Sequence, residues 1–317
     1  MTLPVLVEVV RSGVVESTHA ASVVALRPDG STALALGTVD VPVFPRSSNK
    51  PLQAVALLDA GWQAPDSETI ALATASHSGL PEHLEVVRHT LSAAGLSEDD
   101  LGCPAMLPLD VEAAHALLRA GGEATRLTMN CSGKHAAMLA ACVAGGWPLD
   151  AYLDPRSPVQ QAITRTIEQL AGEKVQHVAV DGCGAPQHAL TLTGLARAFA
   201  RLATDDDCRT ATAMRRHPHL VGGPGREVTR LMQGIPGLVA KDGAEGVFAA
   251  ALPDGSTAAV KVADGATRAA VPVLVVALRA LGVDAPVLDE LGTVPVLGGG
   301  LPVGEVRPSA LLRAAVT

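Results

Sequence analysis

The chain has 317 residues, enough to bury a sizeable core, and 48% of them are hydrophobic although only 2% are aromatic. The core must therefore be aliphatic, and the chain offers no aromatic platform on which nucleic-acid bases or sugar rings could stack. A net charge of -8 argues against nucleic acid and anionic membranes as partners, so the composition favours a small soluble substrate.

The cysteines and the apolar segments predict a location. Five cysteines are an odd number, and they follow no disulfide-framework spacing, which fits reduced thiols in the cytoplasm. Residues 1–13 have no cationic stretch followed by an apolar block, so we expect no signal peptide. The longest strongly apolar stretch, 269–278, is far shorter than the roughly 20 residues that cross a membrane. We therefore predict a cytoplasmic protein without membrane contact.

The first 45 residues alternate between strand patterns and turns, which predicts strands over residues 5–10, 21–26 and 32–36. A second hairpin of the same type is predicted near the other end, over 247–252 and 257–262. Both hairpins contain the sequence Pro-Asp-Gly-Ser-Thr-Ala. Because a lone hairpin is marginal in water, we expect the two to join one antiparallel sheet built from both termini.

Between the hairpins the sequence is mostly helical. Periodic apolar residues, with glycine or proline at several ends, predict helices over residues 51–60, 82–94, 111–120, 134–144, 158–171 and 226–233. A short strand is predicted over 176–180, and the apolar segment 269–281 is predicted to be a helix lying on the sheet.

These elements predict an α/β protein of the α+β type, in which helices pack on an antiparallel sheet. No linker, repeat or low-complexity tract divides the chain, so we predict a single unit over 1–317. The sheet region is expected at about 1–45 and 236–317, and the mainly helical region at about 46–235.

Lysine is scarce in this chain, because only five of the 24 basic residues are lysines. Arginine stays charged at any accessible pH, whereas a desolvated lysine can lose its proton and act as a base or a ligand. Lys50, Lys134 and Lys261 lie in short motifs rich in serine, cysteine or glycine. These three lysines are therefore candidates for chemistry.

Ser47 and Lys50 have the S-x-x-K spacing, which on one helical turn brings the amine to the hydroxyl. A neutral amine there can take the serine proton and later return it to a leaving group. The alternative is that Ser47 or Ser48 caps a helix while Lys50 is solvated. Pro51 supports that alternative, because the residue before a proline is biased away from helical backbone.

Two further segments could contribute to the same chemistry. Lys261 is predicted on a strand, where Ala259 and Ala263 share its face and leave room for a ligand; a solvated lysine is the alternative. Residues 76–78, Ser-His-Ser, place two hydroxyls and an imidazole after an apolar run, where they could instead cap the next helix.

Cysteine and lysine also occur together. Cys131 and Lys134 are three residues apart at the start of a predicted helix, and Cys183 lies in a glycine turn after a predicted strand. Two thiolates could hold zinc, but the chain has no paired C-x-x-C set, and buried free thiols are the alternative. His135 would be the conventional third ligand, whereas Lys134 would be unusual because it must be neutral to bind.

Several short motifs occur in one order along the chain: residues 44–51, 76–79, 130–135, 181–186, 217–226, 241–246 and Lys261. As an ordered set they resemble the Rhizobium-type L-asparaginase II family over most of the chain. The resemblance implies a fold related to serine β-lactamases and penicillin-binding enzymes. It also implies hydrolysis of L-asparagine to L-aspartate and ammonia.

The resemblance assigns roles to individual residues. It implies that Ser47 with Lys50, and Ser78 with Lys261, form two serine–lysine pairs facing one pocket. Ser76 remains open as a replacement for Ser78.

The same resemblance implies a zinc ion on Cys131, Lys134 and Cys183, with His135 beside the metal. Arg46 and Asp181 would then suit the α-carboxylate and the α-ammonium of the substrate, because an amino acid needs one group of each sign. Relatives further imply a homodimer.

The expected reaction is acyl transfer, in which Ser47 attacks the side-chain amide carbon and water then cleaves the aspartyl ester. Three alternatives remain open. A glutaminase would differ only in the depth of its pocket. A penicillin-recognising hydrolase would need export and a Lys-Thr/Ser-Gly strand motif, where this chain has Lys261-Val262-Ala263. A non-catalytic zinc-containing protein would bind the amino acid without turning it over.

Overall fold

One antiparallel sheet contains most of the strands, and these strands come from both ends of the chain. The computed structural model describes residues 3–316; residues 1, 2 and 317, which the predicted single unit includes, lie outside the described residues. The strands are β1 (Val5–Arg11), β2 (Val14–Leu26), β3 (Thr32–Leu36), β4 (Val178–Val180), β5 (Pro186–His188), β6 (Val239–Gly243), β7 (Val247–Ala251), β8 (Thr257–Val262), β9 (Val294–Gly298) and β10 (Leu301–Pro308).

The strand order joins the two ends of the chain. It runs β6-β7-β8-β2-β1-β10-β9, with β3 also paired to β2. Strand β1 lies between β2 and β10, so that Val9 is opposite Val306. The predicted antiparallel sheet built from both termini is confirmed. Strands β4 and β5 form a separate two-stranded sheet within the helical region.

Strand β2 begins at Val14, not at residue 21 as predicted. Its first five residues are exposed and show no apolar alternation, so the sequence pattern gave no strand signal there. The pairing of Thr18 with Glu8 on β1 nevertheless places this segment in the ladder. Backbone pairing with a neighbouring strand therefore extends β2 beyond its buried half.

Thirteen α-helices lie among residues 3–316. They are α1 (Lys50–Asp59), α2 (Ser67–Ala73), α3 (Pro81–Ala93), α4 (Val111–Arg119), α5 (Ser132–Gly145), α6 (Pro158–Ala171), α7 (Leu192–Thr204), α8 (Arg209–Arg216), α9 (Pro218–Val221), α10 (Glu227–Gly234), α11 (Thr267–Ala280), α12 (Pro286–Leu291) and α13 (Ala310–Ala314). Two short 3-10 helices cover Arg46–Asn49 and Glu98–Asp100. The seven predicted helices are confirmed as α1, α3, α4, α5, α6, α10 and α11.

Helices cover the sheet on both faces. All side chains of β7 are buried, although alternate residues of a strand point to opposite faces. Helices α7 and α11 both pack against β7 and β8, and α11, predicted to lie on the sheet, does so. Helix α7 was not predicted. Its Gly194 lowers helix propensity, and a Cβ there would lie 2.5 Å from the Glu173 carboxyl carbon, so this glycine gives room to the Glu173 carboxylate.

Five segments meet at one end of the helical region. They are the 3-10 helix Arg46–Asn49, the end of α2, the start of α5, the turn between β4 and β5, and strand β6. No helix among residues 3–316 is both long enough and apolar enough to cross a membrane.

Candidate active site

Ser47 lies in the 3-10 helix that leads into α1. Its neighbours fix this turn, because the Ser48 hydroxyl donates to the Lys241 carbonyl (3.0 Å) and the Asn49 amide donates to the His188 carbonyl (2.9 Å). Ser47 itself is partly exposed, and within residues 3–316 its hydroxyl has no hydrogen-bond partner. The hydroxyl is therefore available to a ligand.

Lys50 is almost wholly buried and donates three hydrogen bonds. Its Nζ contacts the Ala75 carbonyl at 2.5 Å, the Ser76 hydroxyl at 3.1 Å and the Cys131 sulfur at 3.1 Å. Three donated bonds use all three hydrogens of an ammonium group. The structure thus brings Lys50 together with Ser76, while no hydrogen bond joins Lys50 to the Ser47 hydroxyl in the described part of the chain.

Ser78 and Lys261 are not brought together by hydrogen bonding. The Ser78 hydroxyl donates to the Gly222 carbonyl at 3.0 Å. The Lys261 amine donates to the carbonyls of Glu245 and Val262, and burial lowers its pKa from the ordinary value. The sequence left open whether Ser78 or Ser76 belongs to the site. Of these two, only Ser76 has a hydroxyl that contacts a lysine amine among the described residues, and that amine belongs to Lys50.

Lys261 instead lines a cavity of about 530 Å³ together with Arg46, Glu245 and the apolar side chains of Phe44 and Val180. Arg46 and Glu245 have φ values of 54° and 62°, in the left-handed region that side chains disfavour. Strained backbone of this kind clusters at functional sites, so its occurrence at two positions around one cavity marks a candidate ligand pocket.

Arg46, which lines this cavity, forms an ion pair with Asp181. The Arg46 Nε donates to Asp181 Oδ1 at 2.7 Å, and the Asp181 side chain is mostly buried. The structure therefore places a guanidinium and a carboxylate side by side, as the predicted recognition of a zwitterion requires.

Two cysteines, Cys131 and Cys183, lie close to Lys134, and Cys183 also contacts Asp181 of the ion pair. The Lys134 Nζ lies 3.1 Å from the Cys183 sulfur, and the Cys131 thiol also contacts that sulfur. The Cys131 thiol and the Lys134 charge lower the pKa of Cys183 far below its ordinary value. That contact and burial raise the pKa of Cys131 well above the ordinary value. Burial opposes the charge on Lys134, but the two sulfurs outweigh it and raise the pKa of the amine.

His135 lies beside this cluster, fully buried. Its Nδ1 is 2.7 Å from the Tyr152 hydroxyl, while its Nε2 has no hydrogen-bond partner within residues 3–316. Burial lowers the pKa of His135, which favours the neutral ring. A buried neutral imidazole nitrogen without a partner is a potential metal ligand or acceptor.

The donor set of two sulfurs and the Lys134 nitrogen suits a soft divalent ion such as zinc. All three residues are buried and their donor atoms converge, and the unpartnered Nε2 of His135 adds a further nitrogen. No group of three or more His, Cys, Asp or Glu side chains among residues 3–316 is arranged for a metal. Lys134 would thus have to be a true ligand.

Sequence reasoning gave no role to Arg226, Lys241 and Asp242. These residues are hydrogen-bonded to one another and to Ser48 and Ser76. Arg226 donates to the Ser76 carbonyl and to the Asp242 carboxylate, and Lys241 donates to the same carboxylate. The available signal was the scarcity of lysine, since Lys241 is one of the five.

The sequence comparison identifies the family. The family model described as L-asparaginase II matches residues 7–308, so the chain belongs to the L-asparaginase II family. This confirms the predicted family and makes the protein an L-asparaginase-type hydrolase, an enzyme of the amidohydrolase kind, with a small-molecule substrate.

The chain was also compared with solved structures and with curated protein sequences. One matching solved structure is described as a "putative beta-lactamase from Bacteroides dorei DSM 17855"; the two chains are 16% identical, the match covers 77% of this chain and 88% of that chain, and the TM-score is 0.41. No curated protein sequence matched the chain.

Proposed function

We propose that the protein is an L-asparaginase that hydrolyses L-asparagine to L-aspartate and ammonia through a serine nucleophile. The observation that carries the proposal is the family match over residues 7–308, together with a buried Lys50 hydrogen-bonded to Ser76 next to Ser47. A lysine beside serine hydroxyls supplies the proton transfers that amide hydrolysis needs.

Arg46 and Asp181 are the proposed anchors for the amino-acid end of the substrate. Arg46 would bind the α-carboxylate through its planar fork, and Asp181 would accept from the α-ammonium. The ion pair between them, 2.7 Å long, supports this assignment because it keeps the Asp181 carboxylate beside Arg46, which lines the cavity.

Ser47 is the proposed nucleophile, because Ser47 is more exposed than Ser76 and its hydroxyl has no hydrogen bond to break when it attacks. Because Lys50 contacts Ser76 and not Ser47, the proposed route passes the Ser47 proton to the Ser76 hydroxyl and the Ser76 proton to an unprotonated Lys50 amine, as the Ser47 oxygen bonds to the side-chain amide carbon. That proton then goes to the departing nitrogen, and the carbon–nitrogen bond breaks to release ammonia. Water, deprotonated in the same way, cleaves the aspartyl ester and restores Ser47. Ser76, which contacts Lys50, would hold the amine in place and exchange protons with it.

Zinc is the proposed cofactor, held by Cys131, Lys134 and Cys183. Bound there, a zinc ion would supply a fixed positive charge that attracts the substrate carboxylate and shifts neighbouring pKa values. The chain's own residues carry every step above. The His135 ring would lie beside the metal, and its contact with Tyr152 would hold its orientation.

The first test is ammonia release from the purified protein with L-asparagine, and with L-glutamine and a chromogenic β-lactam in parallel. Release from asparagine well above release from glutamine supports the proposal. Cleavage of the β-lactam without ammonia release would move the protein to the penicillin-recognising class. A thermal shift with asparagine but no turnover would indicate a binding protein.

A second test identifies the nucleophile by trapping the acyl-enzyme with an asparagine analogue and mapping the labelled peptide. A label on Ser47 supports the proposed mechanism, whereas a label on Ser76 or Ser78 would reassign the nucleophile. We also propose a cytoplasmic homodimer, for which the molar mass in solution is the direct measurement.

A further inference from the structure

Three charged side chains, those of Arg226, Lys241 and Asp242, form a group that connects two serine segments: the Ser47 turn (residues 45–50) and the Ser76 segment (residues 74–79). Lys241 on β6 is fully buried, and its amine donates to the carboxylate of Asp242. Arg226, the residue that caps α10, donates to the other oxygen of the same carboxylate. A buried lysine is costly unless it is paired, so two cations around one carboxylate need a reason to persist.

Arg226 connects this group to the Ser76 segment. One guanidinium nitrogen donates to the Ser76 carbonyl at 2.5 Å while the other donates to Asp242. The planar fork of an arginine holds both bonds in one fixed geometry, whereas a lysine ammonium is a point charge without that geometry. The backbone of Ser76 is therefore tied to β6 through a single side chain.

Strand β6 connects the same group to the Ser47 turn. The Lys241 carbonyl accepts from the Ser48 hydroxyl at 3.0 Å. Two residues further on, a Cβ at Gly243 would lie 2.4 Å from the Pro45 carbonyl oxygen, so only glycine allows this approach. The turn that carries Ser47 thus rests directly on the strand that carries Lys241 and Asp242.

We propose that Arg226, Lys241 and Asp242 form a positioning triad that holds the Ser47 turn and the Ser76 segment at a fixed separation for catalysis. The proposal rests on the proposed serine-based function and deepens it. Among the described residues, their side chains make no hydrogen bond to the Ser47 or Ser76 hydroxyl, so their proposed effect is exerted through the backbone of the Ser47 turn and the Ser76 segment. Removing the triad should displace the hydroxyls relative to one another, which lowers the rate of the chemical step more than the affinity for substrate.

The test compares Arg226→Lys with Arg230→Lys. Arg230 lies on the same helix and pairs with the exposed Glu290, without contact to either serine segment. We expect Arg226→Lys to lower kcat about 100-fold with KM within about threefold, because misplacement of about 1 Å costs that much. Arg230→Lys should stay within about twofold of the original protein. Equal losses in both variants, or an unchanged kcat in Arg226→Lys, would overturn the proposal.

Hydrogen exchange supplies a readout that does not depend on turnover. In Arg226→Lys, amides of residues 74–79 should exchange about tenfold faster, while Arg230→Lys leaves them unchanged. If the original protein releases no ammonia from asparagine, the proposed function fails, and the exchange result alone then decides the triad. Unchanged exchange in Arg226→Lys would overturn it.

A smaller change tests the other connection and avoids a failure to fold. Ser48→Ala removes only the bond to the Lys241 carbonyl. We expect faster exchange over residues 45–50 but not over 74–79, with kcat lowered about tenfold and KM retained. Faster exchange over both segments, or over neither, would contradict two separate connections.

Discussion

Lys50 is the residue that links the two chemical groups of the site. Its amine contacts the Ser76 hydroxyl and the Cys131 sulfur at the same distance, 3.1 Å. Lys50 therefore connects the proposed zinc ligands to the serine chemistry through one side chain. A metal ion that takes the Cys131 sulfur as a thiolate ligand would change the charge beside the proposed base.

Replacing Lys50 should abolish turnover. In Lys50→Met no side chain can take the serine proton, so we expect kcat to fall about 10³-fold or more in the ammonia assay. Lys174→Met is the matched control, because Lys174 is exposed and pairs only with Glu168 at the surface. A Lys50→Met protein that keeps a tenth or so of its activity would exclude Lys50 as the base.

Zinc binding should require Cys183. We expect one zinc ion per chain in the original protein and none in Cys183→Ser, by metal analysis after dialysis. Cys208→Ser is the control, since Cys208 is also buried but lies outside the cluster. Equal zinc content in both variants would place the metal elsewhere.

Zinc affinity should rise with pH. Without metal, Cys131 is a thiol and Lys134 an ammonium, because the pKa of each is raised. Each must lose its proton to bind the metal, so binding releases protons and weakens as pH falls. Competition with a chelator at several pH values measures this dependence, and a flat profile would mean that Lys134 is not a ligand.

At the scale of elements, the contact between α2 and α5 places the thiols. A Cβ at Gly133 would lie 2.6 Å from the Leu72 carbonyl oxygen, so the start of α5 packs directly on the end of α2. Helix α2 leads into the segment that contains Ser76, and helix α5 begins directly after Cys131 and contains Lys134. Their separation therefore sets the distance between Cys131 and Ser76.

Gly133→Ala should separate these helices. We expect a loss of about 1–3 kcal/mol in the free energy of unfolding, because overpacked interiors must shift. Zinc content should fall with it, since Cys131 and Lys134 flank the substituted position. Gly182→Ala is the control, as its Cβ would meet nothing closer than 3.6 Å. Urea titration of both variants measures the difference, and equal stabilities would contradict the tight contact.

The elements also show how far the sequence could predict the structure. Periodicity and a proline at the start were sufficient for α6, which begins at Pro158 as predicted, with Ser157 as its cap. The S-x-x-K spacing predicted contact between Ser47 and Lys50, but the amine points across to Ser76 on another segment. Local spacing does not contain that direction, because long-range packing of α1 against α2 and α5 determines it.

For the whole molecule, buried neutral histidines are a source of acid sensitivity. Burial lowers the pKa of four of them: His77, His83, His135 and His188. For His188 the pKa falls from the ordinary value of 6.5 to about 4. Between about pH 6.5 and pH 4 the His188 ring therefore binds a proton in the unfolded chain but not in the folded one, so stability falls as pH falls through this range.

We expect the contribution of His188 to the free energy of unfolding to be complete above pH 6.5 and to decline as the pH falls to about 4. Relative to pH 7, this residue alone should cost about 2 kcal/mol at pH 5. His188→Gln should therefore lose less stability than the original protein between these pH values, by urea unfolding.

His115→Gln is the control for this measurement, because His115 is exposed on α4. It should follow the original protein at both pH values. If His188→Gln and His115→Gln behave alike, the acid sensitivity arises from other groups.

The pairing of β1 with β10 has a consequence for biosynthesis. Strand β1 leaves the ribosome long before its partner β10, because the rest of the described fold lies between them in the chain. Until then β1 has a free edge, which is prone to pairing with other chains. The helices between them can form early, because their contacts are local. Chains released before residue 301 would therefore present an open sheet to the cell's quality control, however well their helical part has folded.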